Sequence, residues 1–372
     1  MNAKAFQNID NAMAGAVADG VFPGAVLLWA GRNQVLYHKA FGVTDLRSGV
    51  PVTLNTVFDL ASLTKPLATA LAAADLISSG LLSQNTYLKD VLPDAWGTDK
   101  AKITIDMLLR HRSGLPAHHP YFKSLKAPVP GIAARAHLRQ LVLAQPLICT
   151  PGVKEIYSDL GYILLAWVVE NISGSRMDIL VRDRFFVPLG IHDLFFKPLC
   201  SDVTQPVKKE ASFVFAATSH CPWREKMILG EVEDENAWAA GGVEGHAGLF
   251  GTAAGVHLLG CQILRALEDR EAGVIDSCVI RSFADTNNGM IRPAGFDSPS
   301  EENASSGLFF SKRSIGHLGF TGTSFWIDPD NGLIAILLTN RVHPSRKNVA
   351  IRKFRPRIHD LIASAYRGNM QV

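Results

Sequence analysis

The stretch GTSFWIDPDNGLIAILLTN, residues 322–340, decides the fold. Two apolar runs, GTSFWID (322–328) and LIAILLTN (333–340), flank Pro329-Asp330-Asn331-Gly332, and Asn-Gly between such runs is a strong turn signal. A second hairpin stands at the other end of the chain: GAVLLWA (24–30), a Gly31-Arg32-Asn33 turn and QVLYHKAF (34–41), preceded by an amphipathic helix over 5–19. From about 100 to 290 the apolar spacing is mostly helical, with Pro- and Gly-rich loops. Thr104 is placed to cap IDMLLRHR, and YILLAWVVENI (162–172) reads as a buried helix closed by Ser173-Gly174. A terminal helix follows the last strand. The expected class is therefore α/β of the α+β kind, with one central antiparallel sheet built from strands of both termini. Helices flank it in a single domain, with a sheet subdomain at about 1–60 and 290–372 and a helical subdomain at about 61–289. No internal repeat interrupts this plan.

The chain has 372 residues, 47% hydrophobic and 19% charged, which is ample for a large core. Lys and Arg total 37 against 34 Asp and Glu, and a net charge of +3 gives no electrostatic case for a nucleic-acid partner. The one concentrated basic run, Arg341, Arg346, Lys347, Arg352, Lys353, Arg355 and Arg357, reads as a solvated helix face, with an anionic partner as the alternative. Five cysteines, at 149, 200, 221, 261 and 278, form no C-x-x-C pair and read as reduced and mostly buried. The N-terminus lacks the uninterrupted apolar core of a signal peptide, and the longest strongly apolar run, Tyr162 to Val169, is too short to span a bilayer. A cytoplasmic location is expected, or a periplasmic one if a leader has been removed.

Three short motifs carry chemistry. In FDLASLTKPLATALAAADLISSG (58–80), Leu63, Leu67, Ala70, Leu71, Ala74 and Ile77 repeat at helical spacing and Gly80 is a stop. Lys65 lies one turn from Ser62, on nearly the same face, and a buried ammonium is costly unless something uses it. A serine hydroxyl needs a base to act as a nucleophile at neutral pH. Lysine serves if burial and positive surroundings lower its pKa, and a helix N-terminus supplies such a field together with N–H groups for an oxyanion. Pro66 withholds an N–H from that first turn. The plain alternative is a capping serine beside a surface lysine. Tyr157-Ser158-Asp159 lies on a loop at the entrance of the buried helix, where Ser158 or Asp159 could simply cap and Tyr157 pack. In GHLGFTGTSFWIDP (316–329), His317-Leu318-Gly319 precedes a strand, and glycine there lets another backbone or a ligand come close.

Taken together, in this order, the three motifs resemble the serine β-lactamase and penicillin-binding-protein superfamily, particularly its class C-like branch of esterases, D-amino-acid peptidases and amidases. That family carries Ser-x-x-Lys, then Tyr-x-Asn, then Lys-Thr-Gly or a His-x-Gly variant, and ITIDMLLRHRSGLP (103–116) resembles its intervening stretch. The likeness runs from GAVLLWAGR to LLTNR. It implies that Ser62 is acylated, that Lys65 takes its proton, and that Tyr157 is a general base whose phenol is made more acidic by Lys65. It further implies an oxyanion hole from the backbone N–H groups of Ser62 and Phe320, substrate contacts at Asp159, His317 and Gly319, and no cofactor or metal. The partner implied is a small ester, amide, D-amino-acid peptide or muropeptide. A β-lactam hydrolase and a non-turnover penicillin-binding sensor are the alternatives. Asp159 replaces the family's Asn, which brings a carboxylate within reach of Lys65. His317 and Leu318 replace Lys and Thr, and should hold an anion less well. A histidine near its usual pKa of about 6.5 would make activity vary through mild acidity.

EDENAWAAGGVEGHAGLFGTA (233–253) is rich in turn glycines, and Thr252 is placed to cap the helix after it. His246 is either a satisfied loop histidine or a cleft-lining substrate contact. The stretch resembles one in bacterial members linked to peptidoglycan fragments. No Gly-x-Ser-x-Gly elbow, His-Glu-x-x-His helix or Gly-Lys-Ser/Thr loop is present, and His118-His119-Pro120 reads as a loop and not as a metal site.

Overall fold

A computed structural model describes residues 3–32, 34–125, 131–199, 213–286, 292–302 and 304–370; Asn33 of the expected turn and Cys200 lie outside the described residues. In chain order the elements that position the site are α1 (Ala3–Ala18), β1 (Gly24–Gly31), β2 (Gln34–Gly42), β3 (Phe58–Asp59), α2 (Leu71–Ser78), α3 (Ile105–Leu109), α4 (Asp159–Ser173), β4 (Leu194–Phe196), β5 (Leu249–Gly251), α5 (Ala253–Leu267), β6 (Ile315–Leu318), β7 (Ser324–Asp328), β8 (Leu333–Thr339) and α6 (Ile351–Met370).

The main sheet has the order β2-β1-β8-β7-β6 and is antiparallel throughout. β1 lies against β8, from Ala25 opposite Thr339 to Ala30 opposite Ile334, so the N-terminal and C-terminal hairpins zip into one sheet. Both strands are buried at every position. Side chains Val26, Leu28, Ile334 and Ile336 pack on the central helices, while Leu27, Trp29, Ala335 and Leu337 pack under α1 and α6. Cover on both faces is why these strands read as unbroken apolar runs without alternation. The β7–β8 turn spans four residues, with Gly332 at φ +66°. The Asp328 carboxylate accepts from the Asn331 side chain at 2.7 Å and from the backbone N–H groups of Asp330 and Asn331.

A smaller sheet, β3-β5-β4, was not anticipated. Asp59 pairs with Phe250, which sets the strand just before Ser62 beside the glycine-rich 241–251 stretch. Gly245 makes the approach possible: a Cβ there would lie 2.2 Å from the Tyr162 carbonyl oxygen on α4. The predicted caps are present. Thr104 Oγ1 accepts from Met107 N, Ser158 Oγ from Gly161 N and Thr252 Oγ1 from Gly255 N. α4 ends at Gly174 in the left-handed region. α3 stops at Leu109, short of the expected HR extension, because His111 takes φ +58°. The four described cysteines are free, but only Cys221 is buried; Cys149 and Cys261 are half-buried and Cys278 is exposed, which corrects the expectation of mostly buried thiols. Among the described residues no helix is long and apolar enough to cross a membrane.

Candidate active site

The chain leaves β3 through a strained residue. Ala61 has φ +49°, a conformation that L-residues other than Asn and Asp seldom adopt. Asp59 Oδ1 accepts from Ala61 N at 2.8 Å, and Thr64 Oγ1 donates to Ala61 O at 2.6 Å, so the strain is held from both sides. A 3₁₀ turn over Ala61–Leu63 then presents Ser62, and Lys65–Ala70 form a π-helical turn before α2 begins. The expected regular helix from Ser62 is thus absent. Pro66 lacks the N–H that would bond to Ser62 O in an α-helix, which leaves the wider turn as the alternative.

Lys65 is fully buried. Its Nζ donates to Ser62 Oγ at 3.0 Å, Asp159 Oδ1 at 2.7 Å and His246 O at 3.2 Å, so three acceptors meet its three N–H bonds. The ammonium also lies 4.9 Å from the Tyr157 ring centre and 5.6 Å from that of Tyr162. Burial works against the charge, but Asp159 and Tyr157 outweigh it and hold the pKa above the usual lysine value. This departs from the expected depressed pKa, because the helix-terminus field is overridden by a carboxylate in direct contact. In this geometry Lys65 is a cation and a donor to Ser62.

Tyr157 sits over the same ammonium, its phenol in hydrogen-bonding reach of Lys65 and Ser62. Burial pushes its pKa up, Lys65 pulls it down and Asp159 pushes it up again, with a net rise. The resemblance had implied a phenol more acidic than usual; the Lys65 contribution is there, but desolvation and Asp159 exceed it. His111, which the sequence reading passed over, packs against Tyr157 with ring centres 4.5 Å apart and the planes tilted by 35°. Its Nδ1 accepts from Ser158 N at 3.0 Å, and burial with the Arg292 and Lys65 charges keeps it neutral, with a pKa well below the usual histidine value. It fixes the loop that carries Tyr157.

The third motif closes the opposite wall. β6 is an edge strand, and the turn after it is stapled to the backbone just before Ser62: Thr321 Oγ1 donates to Asp59 O at 2.8 Å and Thr323 Oγ1 to Leu60 O at 3.1 Å. Gly319 lies inside this contact, where a Cβ would be 1.9 Å from Thr323 Oγ1 and 2.7 Å from Leu60 O. Phe320 therefore follows a glycine pressed against the Ser62 segment. His317 is 2% exposed, with Nδ1 2.9 Å from Leu318 O and Nε2 without a partner. Burial lowers its pKa to about 4, against the pull of Asp297. It is neutral at pH 7, and the expected titration in mild acidity is moved down by more than two pH units.

His246 lies in the cleft wall and is also held within its own loop, so both earlier descriptions of its position apply. Its Nε2 is 2.9 Å from Asp234 Oδ1, its carbonyl receives Lys65, and the neighbouring Gly245 carbonyl receives Thr69 Oγ1 at 2.7 Å. Burial opposes its charge, yet Asp234 raises its pKa, while His246 holds Asp234 well below the usual carboxylate range despite burial. Behind this loop Glu244 accepts from Arg135 at 2.8 Å, and Glu170 bridges Arg135 and Arg139 at 2.8 Å each. Ser62, Tyr157, Asp159, His246, His317 and Phe320 line one cleft of about 600 Å³, with Lys65 beneath it. His118 also reaches the cleft, its Nδ1 3.8 Å from Asp159 Oδ2. His118, Asp159 and Asp234 place donor atoms within 4.8 Å of one another, a set that could hold a cation. Both carboxylates already have partners, Asp159 in the Lys65 ammonium and Asp234 in the His246 ring.

Comparison with known proteins agrees with this geometry. The family model for Beta-lactamase matches residues 9–355. A relative from Escherichia coli O157:H7, carrying the provisional name D-alanyl-D-alanine carboxypeptidase, is 30% identical over 348 residues, which is 87% of this chain and 80% of its own. Among solved structures, EstCE1, described as a hydrolase with promiscuous acyltransferase activity, has a TM-score of 0.71 at 21% identity and covers 95% of this chain and 98% of its own. The octameric penicillin-binding protein homologue from Pyrococcus abyssi has a TM-score of 0.72 at 18% identity, covering 98% and 77%. The two structural likenesses establish the fold, and the family match spans nearly all of the chain: it belongs to the Beta-lactamase family, as a hydrolase of that fold.

Proposed function

We propose that this hydrolase cleaves a small ester or amide through an acyl-enzyme on Ser62. The observation that carries the reading is the buried Lys65 ammonium donating to Ser62 Oγ at 3.0 Å while Asp159 and His246 O saturate its other two N–H bonds. Ser62 Oγ attacks the substrate carbonyl carbon, and its proton passes to the Tyr157 phenolate oxygen, the ionised minority form at neutral pH. Lys65 remains an ammonium throughout, orienting Oγ and stabilising the phenolate. The backbone N–H groups of Ser62 and Phe320 receive the oxyanion, a placement supported by the Thr321 and Thr323 staples to Asp59 O and Leu60 O. Tyr157 then returns the proton to the leaving alkoxide or amine, and water repeats the sequence to release the acid. A peptide ending in D-alanine is the amide class that the relatives' name points to. A β-lactam specialist is disfavoured, since His317 is neutral at pH 7 and Leu318 is apolar. Free cysteines support a reducing compartment such as the cytoplasm.

The test is pre-steady-state release of nitrophenol from a short p-nitrophenyl ester by wild type and Ser62→Ala. A burst near one equivalent followed by steady turnover, both lost in Ser62→Ala, is the expected result. Equal release by both proteins overturns the assignment of Ser62, and a burst without turnover replaces the hydrolase with a slowly deacylating sensor.

A further inference from the structure

The chemistry at Ser62 leaves one buried acid unused. Asp59, on β3, is 2% exposed and stands just before the nucleophile's turn. Among the described residues its carboxylate bonds only to backbone: Oδ1 accepts from Ala61 N at 2.8 Å and Oδ2 from Glu233 N at 2.6 Å. The charged groups that face it, Glu233 and Asp234, are themselves acids. Basic groups on the surrounding segments are engaged elsewhere: Arg346 by Glu233 at 2.6 Å, His246 by Asp234 at 2.9 Å, Lys65 by Asp159 at 2.7 Å and Arg341 by the Phe320 carbonyl. Burial pushes the Asp59 pKa up to about 7 and the two acids add to the rise, while the two N–H groups oppose it.

A buried carboxylate without a cation is a costly choice at a position that only packs. What it supplies here is geometry. Two N–H donors reach it from two separate segments, and a carboxylate offers an acceptor oxygen to each; an asparagine amide would turn its NH2 group on one of them. One donor belongs to Ala61, whose φ of +49° is strained for alanine. The next peptide group, Ala61 C=O with Ser62 N–H, is held at its oxygen by Thr64 Oγ1 at 2.6 Å. These two bonds set the direction of the Ser62 N–H together with the start of its side chain. The other donor opens the segment in which Asp234 holds His246, whose carbonyl receives Lys65. One side chain therefore joins the nucleophile's turn to the wall that holds its lysine.

We propose that Asp59 is a positioning residue for the Ser62 reaction: its ionised carboxylate clamps the strained Ala61 turn to the Glu233 segment and so fixes both the nucleophile and its oxyanion donor. The inference rests on the proposed Ser62 chemistry and adds a requirement to it. A protonated carboxyl keeps one good acceptor and gains a donor, so one of the two N–H groups loses its partner and the turn loosens. Activity then falls with protonation of Asp59 as well as of Tyr157. A plot of log kcat/KM against pH should rise with a slope of about one above pH 7, from Tyr157, and more steeply below it, where Asp59 is neutralised as well.

The experiment measures p-nitrophenyl acetate hydrolysis across pH 5.5 to about 9 for wild type, Asp59→Asn, Ala61→Gly and the double variant. Asp59→Asn is expected to lower kcat by about 10²-fold at pH 8 with KM within about threefold, and to lose the extra slope. Glycine takes a positive φ without strain, so in the Ala61→Gly background the same substitution should cost about tenfold less. An unchanged kcat in Asp59→Asn, an equal loss in both backgrounds, or an extra slope that survives the substitution overturns the clamp; a surviving slope belongs to His246. Should Asp59→Asn fold poorly, Ala61→Gly decides alone: loss of the extra slope supports the clamp, and its persistence overturns it. Should wild type hydrolyse no ester, the Ser62 chemistry falls separately, and amide hydrogen exchange over residues 58–66 judges the clamp. Exchange about tenfold faster in Asp59→Asn supports it, and unchanged exchange overturns it.

Discussion

Replacing Asp159 by Asn should make the enzyme faster at neutral pH. The carboxylate is 2.7 Å from Lys65 Nζ, and its side chain is 21% exposed. At an effective dielectric constant of about 20, two unit charges at that separation interact by about 6 kcal/mol, which is a ceiling before desolvation is counted. Neighbouring charges in proteins shift pKa values by about 1 to 3 units, so the lysine loses roughly that much when Asp159 becomes neutral. It starts well above its usual value and remains an ammonium at pH 7, with the amide oxygen of Asn still able to accept from it. Tyr157 responds in the useful direction. Asp159 disfavours its ionisation, so the neutral substitution lowers its pKa, by about one unit at the low end of that range. One unit is tenfold more phenolate at any pH below the pKa.

The measurement is kcat/KM for p-nitrophenyl acetate from pH 6 to 10, wild type beside Asp159→Asn. In the proposed mechanism Tyr157 acts as its anion, and its pKa is raised, so wild-type activity should climb through this range. In the variant the same limb should lie about one unit lower, with a neutral-pH rate up to about tenfold higher. A limb that stays in place, or moves to higher pH, refutes the assignment of Tyr157 as proton acceptor. A folded variant that loses more than tenfold at all pH values would instead mean that the carboxylate itself takes part.

Gly319→Ala should lower kcat by about 10²- to 10³-fold, the usual cost of a lost oxyanion donor, since its Cβ would displace the turn from Leu60 O and carry the Phe320 amide with it; circular dichroism should be unchanged. His317 has a folded pKa of about 4 against about 6.5 when unfolded, so it adds stability above pH 6.5 that is lost as pH falls toward 4. His317→Gln should therefore flatten the decline of the urea midpoint over that window, a difference of up to roughly 3 kcal/mol at its acid end. Glu244→Gln leaves Arg135 and Arg139 sharing Glu170 and should cost about 3 kcal/mol in urea unfolding, with a further loss of turnover because the adjacent Gly245 and His246 carbonyls hold Thr69 and Lys65.

The sheet was legible because its signals are local. LIAILL and AVLLWA are apolar throughout, and an apolar run of that length beside a glycine turn reads as a buried strand. The caps at Thr104, Ser158 and Thr252 were legible for the same reason, each being one side chain serving a backbone three residues on. The β3-β5-β4 sheet was hidden, since two- and three-residue strands leave no period to detect. The π-helical turn was foreshadowed only by Pro66, whose missing N–H announces an irregularity without saying which one.

At the site, the identity of the groups was readable and their charge states were not. Ser62, Lys65 and Tyr157 are named by motif, but whether Lys65 is base or cation depends on a residue 94 positions away, and only contact at 2.7 Å decides it. The same limit applies to the arginines. A run such as Arg352-Lys353-Phe354-Arg355 carries the composition of a wet helix face, and periodicity cannot say that Arg355 turns inward beside Arg341 while Arg352 stays exposed. Charge in a sequence is a count; in a fold it is a count of partners. Asp159 gives Lys65 its counter-ion inside the protein, whereas Arg341 and Arg355 donate to backbone carbonyls. A buried charge must be matched, and at Lys65 the match comes from within the chain, from a carboxylate that no local pattern ties to it.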